Sequence, residues 1–282
     1  MSPPKVMLGE VTPEVYGRLV GDLSGPSYFG LHGWSGDHRT FDPILPYLPA
    51  QSGLLTVDQP GFGRSARPET WTYDDYTRPL LAALDAAGWT RGTLIGNCAG
   101  AVIGLEMALR ARERFDRLVL IDPFAYVPWY FALLTRGWPG WFFYHFTFAN
   151  PVGRFITNQA LRAKRTEETD LVSGFESVRH DVAFSYLRML CARADAQRFA
   201  ELDLPVTLLF GERTFSAVKR SVDIYSRLWP QAEAHCLPEA GHLPIQEATE
   251  SLALHTLQEG GPRWRTHPAP SIRCGLSSSS LA

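Results

Sequence analysis

A cysteine lies at the centre of the most distinctive stretch of this sequence. Residues 93–104 run from a short apolar segment into Gly-x-Cys-x-Gly, centred on Cys98, and then into a helical pattern. A strand, a sharp turn that carries a nucleophile and a helix form a nucleophile elbow, in which a strained backbone holds the reactive side chain clear of the sheet. The usual nucleophile in such a turn is serine. The pattern therefore predicts covalent chemistry by the thiol of Cys98.

The neighbours of Cys98 have the residue types that such a turn needs. Gly96 and Gly100 lack a Cβ atom, so the strand and the helix can cross closely. The helix that follows directs unpaired amides and the positive end of its dipole at the turn, which favours negative charge there. We expect the amide of Ala99 to be one donor of an oxyanion hole. The alternative interpretation is that Cys98 is a small buried core residue, as most free cysteines are.

The elements that would position Cys98 follow from the alternation of apolar runs and helical patterns. Strands are predicted at residues 15–20, 27–31, 54–58, 93–95, 118–121, 206–210 and 232–237. Helices are predicted at residues 72–88, 99–115 and 221–228. This alternation is typical of a parallel sheet that is flanked by helices. It stops between residues 124 and 204, where the sequence is helical in character and rich in aromatic residues.

Three motifs make the chain resemble the α/β-hydrolase fold superfamily, as a member with cysteine in place of the nucleophilic serine. They are the Gly-x-Cys-x-Gly of residues 96–100, the strand that ends in His32-Gly33, and the Asp-x-Pro-Gly-x-Gly-x-Ser of residues 58–65. The resemblance covers roughly residues 10–260. It implies an α/β fold with a mostly parallel eight-stranded sheet, flanked by helices, and a helical cap inserted after strand 6.

The resemblance also implies roles for two further residues. In the family, the residue after His-Gly supplies the second amide of the oxyanion hole, which here is Trp34. His32 itself is expected to be a structural, hydrogen-bonded histidine. The loop that ends in Ala240-Gly241-His242 resembles the loop of the catalytic histidine. His242 is therefore expected to accept the proton of Cys98 or to form an ion pair with it; the alternative is an exposed loop histidine.

The third member of the triad is where the sequence departs from the family pattern. The family usually has an Asp after strand 7, and this chain has Thr214 at that position. Some members place the acid after strand 6, which predicts Asp122 as the carboxylate that orients His242. Its alternative role is to cap the turn or the first helix of the cap. Glu212 is the fallback acid, and a Cys-His dyad without an acid is also open.

The resemblance predicts a division of the chain into three parts. Residues 1–122 and 205–260 would form the core, residues 123–204 an aromatic-rich helical cap, and residues 261–282 a disordered tail. Such a cap would exclude water and bind an apolar substrate. We expect substrate-pocket residues at Trp129, Trp138, Trp141 and Phe142. The alternatives are that these rings form the core beneath the cap, or that they contact a lipid surface.

Composition narrows the class of protein. The formal charge is −2, which gives no electrostatic case for binding nucleic acid. The four cysteines have no metal-type spacing, and we expect neither a metal nor a cofactor. No apolar run is long enough to span a bilayer, and the first residues do not resemble a signal peptide. We therefore expect a cytoplasmic protein in which the cysteines are reduced.

These features predict a cofactor-free enzyme with a Cys-His-Asp triad that cleaves or transfers an apolar acyl group from an ester or thioester. It would be a hydrolase or thioesterase, or an acyltransferase or cyclase, because a thiolate exchanges readily with thioesters. The acyl group could be carried on coenzyme A or an acyl carrier protein. One alternative is a non-catalytic ligand-binding or interaction protein on the same fold, for which Thr214 is the main argument. Another is a lyase in which His242 is a general base without a covalent intermediate.

Overall fold

An eight-stranded sheet runs through the centre of the protein. The computed structural model describes residues 6–193 and 195–257. The strands are β1 (Val6–Glu10), β2 (Tyr16–Gly21), β3 (Ser27–Leu31), β4 (Gly53–Val57), β5 (Gly92–Asn97), β6 (Phe115–Ile121), β7 (Val206–Gly211) and β8 (Glu233–Leu237). Their order across the sheet is β1-β2-β4-β3-β5-β6-β7-β8. Strand β2 is antiparallel to both neighbours, and the strands from β4 to β8 are parallel.

Helices connect the parallel strands and follow the last one. They are α1 (Tyr73–Ala86), α2 (Ala99–Arg110), α3 (Trp129–Leu134), α4 (Gly137–Tyr144), α5 (Pro151–Ala160), α6 (His180–Ala192), α7 (Ser216–Leu228), α8 (Pro244–Glu247) and α9 (Thr249–Thr256). Local chemistry sets several ends: the Thr72 hydroxyl accepts a hydrogen bond from the amide of Asp75 at the start of α1. Gly88 follows that helix with a φ of +73°, a conformation that glycine adopts without strain.

The core lies on both faces of the sheet. Every residue of β3, β4 and β7 is buried, because helices cover both faces of a parallel sheet. Side chains from α1, α2 and α7 pack against one face. The 3₁₀ segment at residues 38–47 packs with α8 and α9 against the other. These two layers fix the carboxyl ends of the parallel strands, where loops carry the residues of interest.

The mostly parallel, eight-stranded sheet flanked by helices confirms the predicted fold, and seven of the eight strands were located in the sequence. Strand β1 was not predicted, because Val6, Met7 and Leu8 are each more than half exposed and show no buried pattern. Helices α3–α6 lie between β6 and β7, in the stretch predicted as a cap. The division into a core and a cap stays a prediction, and the predicted tail at residues 261–282 lies outside the described residues.

The cysteines differ from the prediction at one position. Cys98 and Cys191 are free thiols, whereas Cys236 in β8 is disulfide-bonded. The expectation of a reduced thiol is therefore wrong at Cys236, because spacing along the chain does not reveal which cysteines a fold brings together. Cys274 lies outside the described residues. Within residues 6–193 and 195–257, none of the helices has the length and apolar character needed to cross a membrane.

Candidate active site

Cys98 occupies a strained turn between β5 and α2. Its φ of 52° and ψ of −114° lie outside the regions that side chains normally allow. A Cβ atom on Gly96 would lie 2.5 Å from the Cα atom of Ala101, and one on Gly100 would lie 2.3 Å from the carbonyl oxygen of Leu31. Both positions therefore require glycine, and the tight crossing of strand and helix leaves the Cys98 side chain partly exposed.

The structure brings Cys98, His242 and Asp122 together in a linear arrangement. The Sγ atom of Cys98 lies 3.6 Å from Nε2 of His242, within hydrogen-bond distance for sulfur. On the other side of the ring, Nδ1 of His242 lies 2.6 Å from Oδ2 of Asp122. The Nδ1–H group therefore donates to the carboxylate, and Nε2 faces the thiol. This is the order of nucleophile, base and orienting acid that a catalytic triad needs.

Asp122 is fully buried at the end of β6, and three donors surround its carboxylate. The amide of Gly211 donates to Oδ1 at 3.0 Å, and the hydroxyl of Thr214 and the ring of His242 both donate to Oδ2. Strands β6 and β7 are neighbours and parallel, so their carboxyl ends meet at one edge of the sheet. This adjacency explains how an acid after β6 can reach the same histidine as an acid after β7.

Thr214 and Glu212, the other two residues considered for the acid, have different surroundings. The hydroxyl oxygen of Thr214 lies 3.1 Å from Nδ1 of His242, in addition to its hydrogen bond with Asp122. Thr214 thus contacts both partners from the position where the family usually has its acid. Glu212 is exposed, and its Oε2 accepts a hydrogen bond from the amide of Glu239 at 2.9 Å. It does not contact His242.

The surroundings of His242 favour its protonated form. Burial by itself lowers the pKa of the ring, but the hydrogen bonds and negative charges of Asp122 and Cys98 raise it to about 10. The ring of Phe215 packs edge-on against the imidazole with 4.8 Å between centroids. The backbone amide of His242 donates to the carbonyl of Lys164 at 2.7 Å, so the residues before α6 help to hold this loop. An imidazolium beside a thiolate is the ion pair expected of an activated cysteine.

The backbone amides of Trp34 and Ala99 are the two that the sequence predicted for an oxyanion hole. The turn after β3 packs against the elbow, and a Cβ atom on Gly33 would lie 3.4 Å from Cβ of Cys98. Trp34 follows in that turn, and Ala99 begins α2. Neither the Trp34 nor the Ala99 amide donates a hydrogen bond to any of the described residues. Both amides are thus available to an oxygen beside Sγ, although their catalytic role stays a proposal.

Cys98 faces an apolar pocket. The pocket encloses about 650 Å³, counted with its open mouth. Its walls come from the turn after β3, the start of α2, the loop after β6, and helices α3, α6 and α7. Its lining includes Trp34, Val102, Phe124, Phe131, Leu187, Leu190, Phe199 and Tyr225. Most of the side chains are apolar, which suits an acyl chain, and the exposed Arg193 and Asp195 add two charged groups to the lining.

The four aromatic residues predicted for the pocket lie elsewhere. Trp129, Trp138, Trp141 and Phe142 do not line the pocket, and each is about half exposed or more. The inward positions of the same segment are held by Phe124 and Phe131 instead. The aromatic composition indicated the segment, but the short helices α3 and α4 give no periodicity that would tell an inward from an outward ring.

Two other histidines, His32 and His38, lie outside the triad. His32 has structural hydrogen bonds, and His38 belongs to a separate cluster with two aspartates. His32 is fully buried; its Nδ1 donates to the carbonyl of Gly33 and its Nε2 accepts from the amide of Gln59. Burial lowers its pKa, and these bonds suit the structural role expected of it. His38 lies with Asp37 and Asp58 close enough to hold a metal ion. Both oxygens of Asp58 already accept hydrogen bonds within the 58–65 loop or from His38.

Sequence reasoning missed the contacts of Thr214 and most of the pocket. Thr214 carried a signal, since it stands where the family has a hydrogen-bonding acid. Leu187 and Leu190 carried no such signal, because the sequence does not distinguish a leucine that lines a pocket from one that packs in the core. Cys191 lines the same pocket as a second free thiol, and burial raises its pKa to about 11. The structure thus distinguishes Cys98, which contacts His242, from Cys191, whereas the sequence distinguished them only by the motif around Cys98.

Comparison with known proteins agrees with this architecture. Residues 30–162 match a family model described as the alpha/beta hydrolase fold. The structure superposes on the enol-lactonase of Burkholderia xenovorans with a TM-score of 0.69 at 17% identity, over 86% of this chain and 94% of that one. The protein therefore has the α/β-hydrolase fold, which confirms the fold predicted from its motifs.

Curated relatives match this chain over part of its length. A serine hydrolase-like protein of Danio rerio is 32% identical over 124 residues, which are 41% of this chain and 38% of that protein. A pimeloyl-[acyl-carrier protein] methyl ester esterase of Edwardsiella ictaluri is 27% identical over 230 residues, 76% of this chain and 85% of that protein. The chain thus spans little more than a third of the first relative's length. These two relatives are named as a hydrolase-like protein and an esterase.

Proposed function

We propose that the protein is a cysteine-dependent enzyme that cleaves an apolar acyl ester or thioester, with Cys98 as nucleophile, His242 as acid and base, and Asp122 as the residue that orients His242. The observation that carries the proposal is the arrangement of these three side chains at the wall of an apolar pocket. The hydrolases and esterases among its relatives support the reaction class.

In the first half of the proposed reaction, the thiolate of Cys98 attacks the carbonyl carbon of the acyl group. The carbonyl oxygen gains negative charge and accepts hydrogen bonds from the amides of Trp34 and Ala99. When the tetrahedral intermediate collapses, the bond between the acyl carbon and the leaving oxygen or sulfur breaks. His242 gives its proton to the leaving group, and the acyl group remains on Sγ as a thioester.

In the second half, water or another acceptor attacks the acyl carbon of that thioester. His242 takes the proton of the acceptor, and the C–Sγ bond breaks to restore the thiolate. Hydrolysis results when the acceptor is water, and acyl transfer when it is an amine, an alcohol or a thiol. The substrate we propose is an apolar acyl group whose carrier is an alcohol, coenzyme A or the thiol arm of an acyl carrier protein. No metal or cofactor takes part in this scheme.

The lining of the pocket supports an apolar substrate class. Most of its side chains are apolar, which suits an acyl chain, and the exposed charged residues Arg193 and Asp195 also belong to the lining. The non-catalytic alternative rested on the neutral Thr214, and the carboxylate of Asp122 reaches His242 from the neighbouring strand. That alternative and the lyase both predict no dependence on a covalent Cys98 intermediate.

The proposal is tested by turnover of a panel of p-nitrophenyl esters and acyl-coenzyme A thioesters with chains of increasing length. We expect a preference for medium apolar chains over acetyl, and a loss of about a thousandfold or more in kcat/KM in Cys98→Ala. Full activity of Cys98→Ala with loss in His242→Gln would favour the lyase. No turnover by wild type with tight binding of the same acyl compounds by Cys98→Ala would favour the binding protein.

A further inference from the structure

Helices α3, α4 and α5 present a large apolar surface to solvent. Ten large side chains from these helices and the π-helical turn at residues 145–149 are between 47% and 79% exposed. We call this surface the cap apolar face; it consists of Trp129, Leu133, Trp138, Trp141, Phe142, Phe143, Phe146, Val152, Phe155 and Ile156. Contiguous apolar surface on this scale is rare on a soluble monomer and marks an interaction site.

The cap apolar face is one surface rather than a set of scattered residues. A Cβ atom on Gly140 would lie 2.6 Å from the carbonyl oxygen of Leu133, so α4 lies directly against α3. A Cβ atom on Gly153 would lie 1.7 Å from the carbonyl oxygen of Phe146, so α5 lies directly against the π-helical turn. The two glycines bring α3, α4, the π-helical turn and α5 into close backbone contact, so their exposed side chains belong to one packed unit.

The segment that carries this face has basic residues and no acidic ones. Between residues 123 and 166 the sequence contains no Asp or Glu, and its basic residues are Arg136, Arg154, Arg162, Lys164 and Arg165. Arg136 and Arg162 are exposed and make no ion pair with the described residues. Exposed arginines beside apolar rings are complementary to a surface that is apolar within and anionic at its edge.

We propose that the cap apolar face binds the surface of an anionic lipid bilayer. Tryptophan and phenylalanine are the side chains that prefer the depth of the headgroups, and Trp129 and Trp138 are the two most exposed large apolar residues. The helices of this face have 6, 8 and 10 residues, so they lie on a bilayer rather than cross it, since a crossing helix needs about 20. A protein partner would be expected to offer acidic side chains to Arg136 and Arg162, and a second copy of this face offers none.

The cap apolar face lies close to the pocket, so a bilayer bound to this face would also lie near the pocket. Helix α3 carries Trp129 and Leu133 on the cap apolar face, while its Phe131 lines the pocket beside Cys98. The bound bilayer would thus lie one helix away from the pocket, and an apolar substrate could pass between them. The binding itself does not rest on the proposed function, and Cys98→Ala should bind vesicles like wild type.

The test is flotation of the full chain with vesicles of phosphatidylglycerol and of phosphatidylcholine, in low and in high salt. We expect flotation with phosphatidylglycerol that weakens in high salt, and weaker flotation with phosphatidylcholine. The triple variant Trp129→Ser/Trp138→Ser/Phe155→Ser should lose at least about a hundredfold in partition coefficient, because each large side chain contributes about tenfold. Arg136→Glu and Arg162→Glu should each lose about fivefold or more.

Matched controls lie outside the face. Leu254→Ser removes an apolar side chain of similar exposure on α9, and Arg227→Glu reverses an exposed arginine at the end of α7. Both should float like wild type. The proposal is overturned if wild type does not float, if the triple variant floats equally well, or if wild type instead forms a dimer that the triple variant abolishes. Because the three substituted positions are exposed, we expect the triple variant to fold, and circular dichroism checks that it does.

Discussion

At the residue scale, the proposed triad depends on how the chain supplies a carboxylate to His242. The family position after β7 holds a neutral hydroxyl, yet the buried carboxylate of Asp122 lies 2.6 Å from Nδ1 of the ring. Asp122 has a φ of 46°, a left-handed conformation that aspartate tolerates better than most residues. The carboxylate that contacts His242 therefore follows β6, the strand beside β7, and the hydroxyl of Thr214 contacts both Asp122 and His242.

Removal of the Asp122 charge should depress turnover more than any change at Glu212. Asp122→Asn keeps the size of the side chain but cannot hold the imidazolium or its tautomer, so kcat should fall by about a thousandfold to ten-thousandfold. Glu212→Gln is the matched control and should change kcat by less than about twofold, since Glu212 contacts Glu239 instead of His242. Steady-state kinetics on the best ester of the panel measures both. If Glu212→Gln proves the more damaging change, the wrong carboxylate has been chosen.

Thr214 should act as a positioning residue through its hydroxyl. Thr214→Val removes the donor to Asp122 at nearly constant volume, so we expect a loss of about tenfold in kcat with little change in KM, and about 1–2 kcal/mol in the free energy of unfolding. Thr214→Ser keeps the hydroxyl and should restore most of the activity. Equal kcat in the Val and Ser variants would show that only packing matters at this position.

The sequence predicted the residues of the candidate site better than their contacts. Cys98 and His242 stand in local motifs whose backbone shape is encoded by adjacent glycines and loop residues, so both could be predicted from short stretches. The pairing of Asp122 with His242 depends on which strand lies next to β7, a long-range property of the sheet. The residues that line the pocket depend on the facing of short helices, which local pattern does not encode.

At the element scale, Trp34 joins the turn after β3 to the helices that cover the site. Its indole N–H donates to the carbonyl of Ala183 in α6 at 2.7 Å, and its ring packs against Phe131, Phe148 and Phe175. The same residue offers its backbone amide beside Cys98. A shift of α6 would therefore move the side chain of Trp34, and with it the backbone amide of the same residue.

Trp34→Phe should weaken this coupling without removing the ring contacts. The carbonyl of Ala183 loses its donor, so the free energy of unfolding should fall by about 1–2 kcal/mol, and KM should rise as the pocket loosens. Trp89→Phe is a matched control, because the buried indole of Trp89 also donates to a carbonyl, that of Arg114, far from the pocket. It should lose similar stability in urea unfolding and keep its KM. A rise in KM of the same size in both variants would argue against a special role for Trp34.

At the scale of the whole molecule, the raised pKa of His242 links the site to stability. A histidine whose pKa rises from 6.5 when unfolded to about 10 when folded stabilises the protein fully below pH 6.5 and loses that contribution as the pH rises towards 10. The difference in free energy of unfolding between wild type and His242→Gln should therefore shrink between about pH 6.5 and pH 10. Urea unfolding of both proteins at a series of pH values measures it. A difference that is constant or grows with pH would mean that His242 is neutral in the folded protein.

The overall architecture was predictable because its elements have strong sequence patterns that recur along the chain. Buried strands such as β4 and β7 are continuous apolar runs, and the glycines of the elbow fix the crossing of β5 and α2. Strand β1 was not predicted because it lies at the edge of the sheet and is identified only by its backbone pairing with β2. Four outward rings of α3 and α4 were predicted as pocket residues because the same aromatic composition is compatible with a pocket and with an exposed face.

The most direct test of the central claim is the intact mass of the protein after incubation with acyl thioesters and activated esters, for wild type, Cys98→Ala and Cys191→Ala. The account predicts an added mass equal to one acyl group in wild type and in Cys191→Ala, and none in Cys98→Ala. An adduct that persists in Cys98→Ala and disappears in Cys191→Ala would place the reactive thiol at the other side of the pocket. The absence of any adduct, together with turnover that Cys98→Ala retains, would contradict covalent catalysis by Cys98.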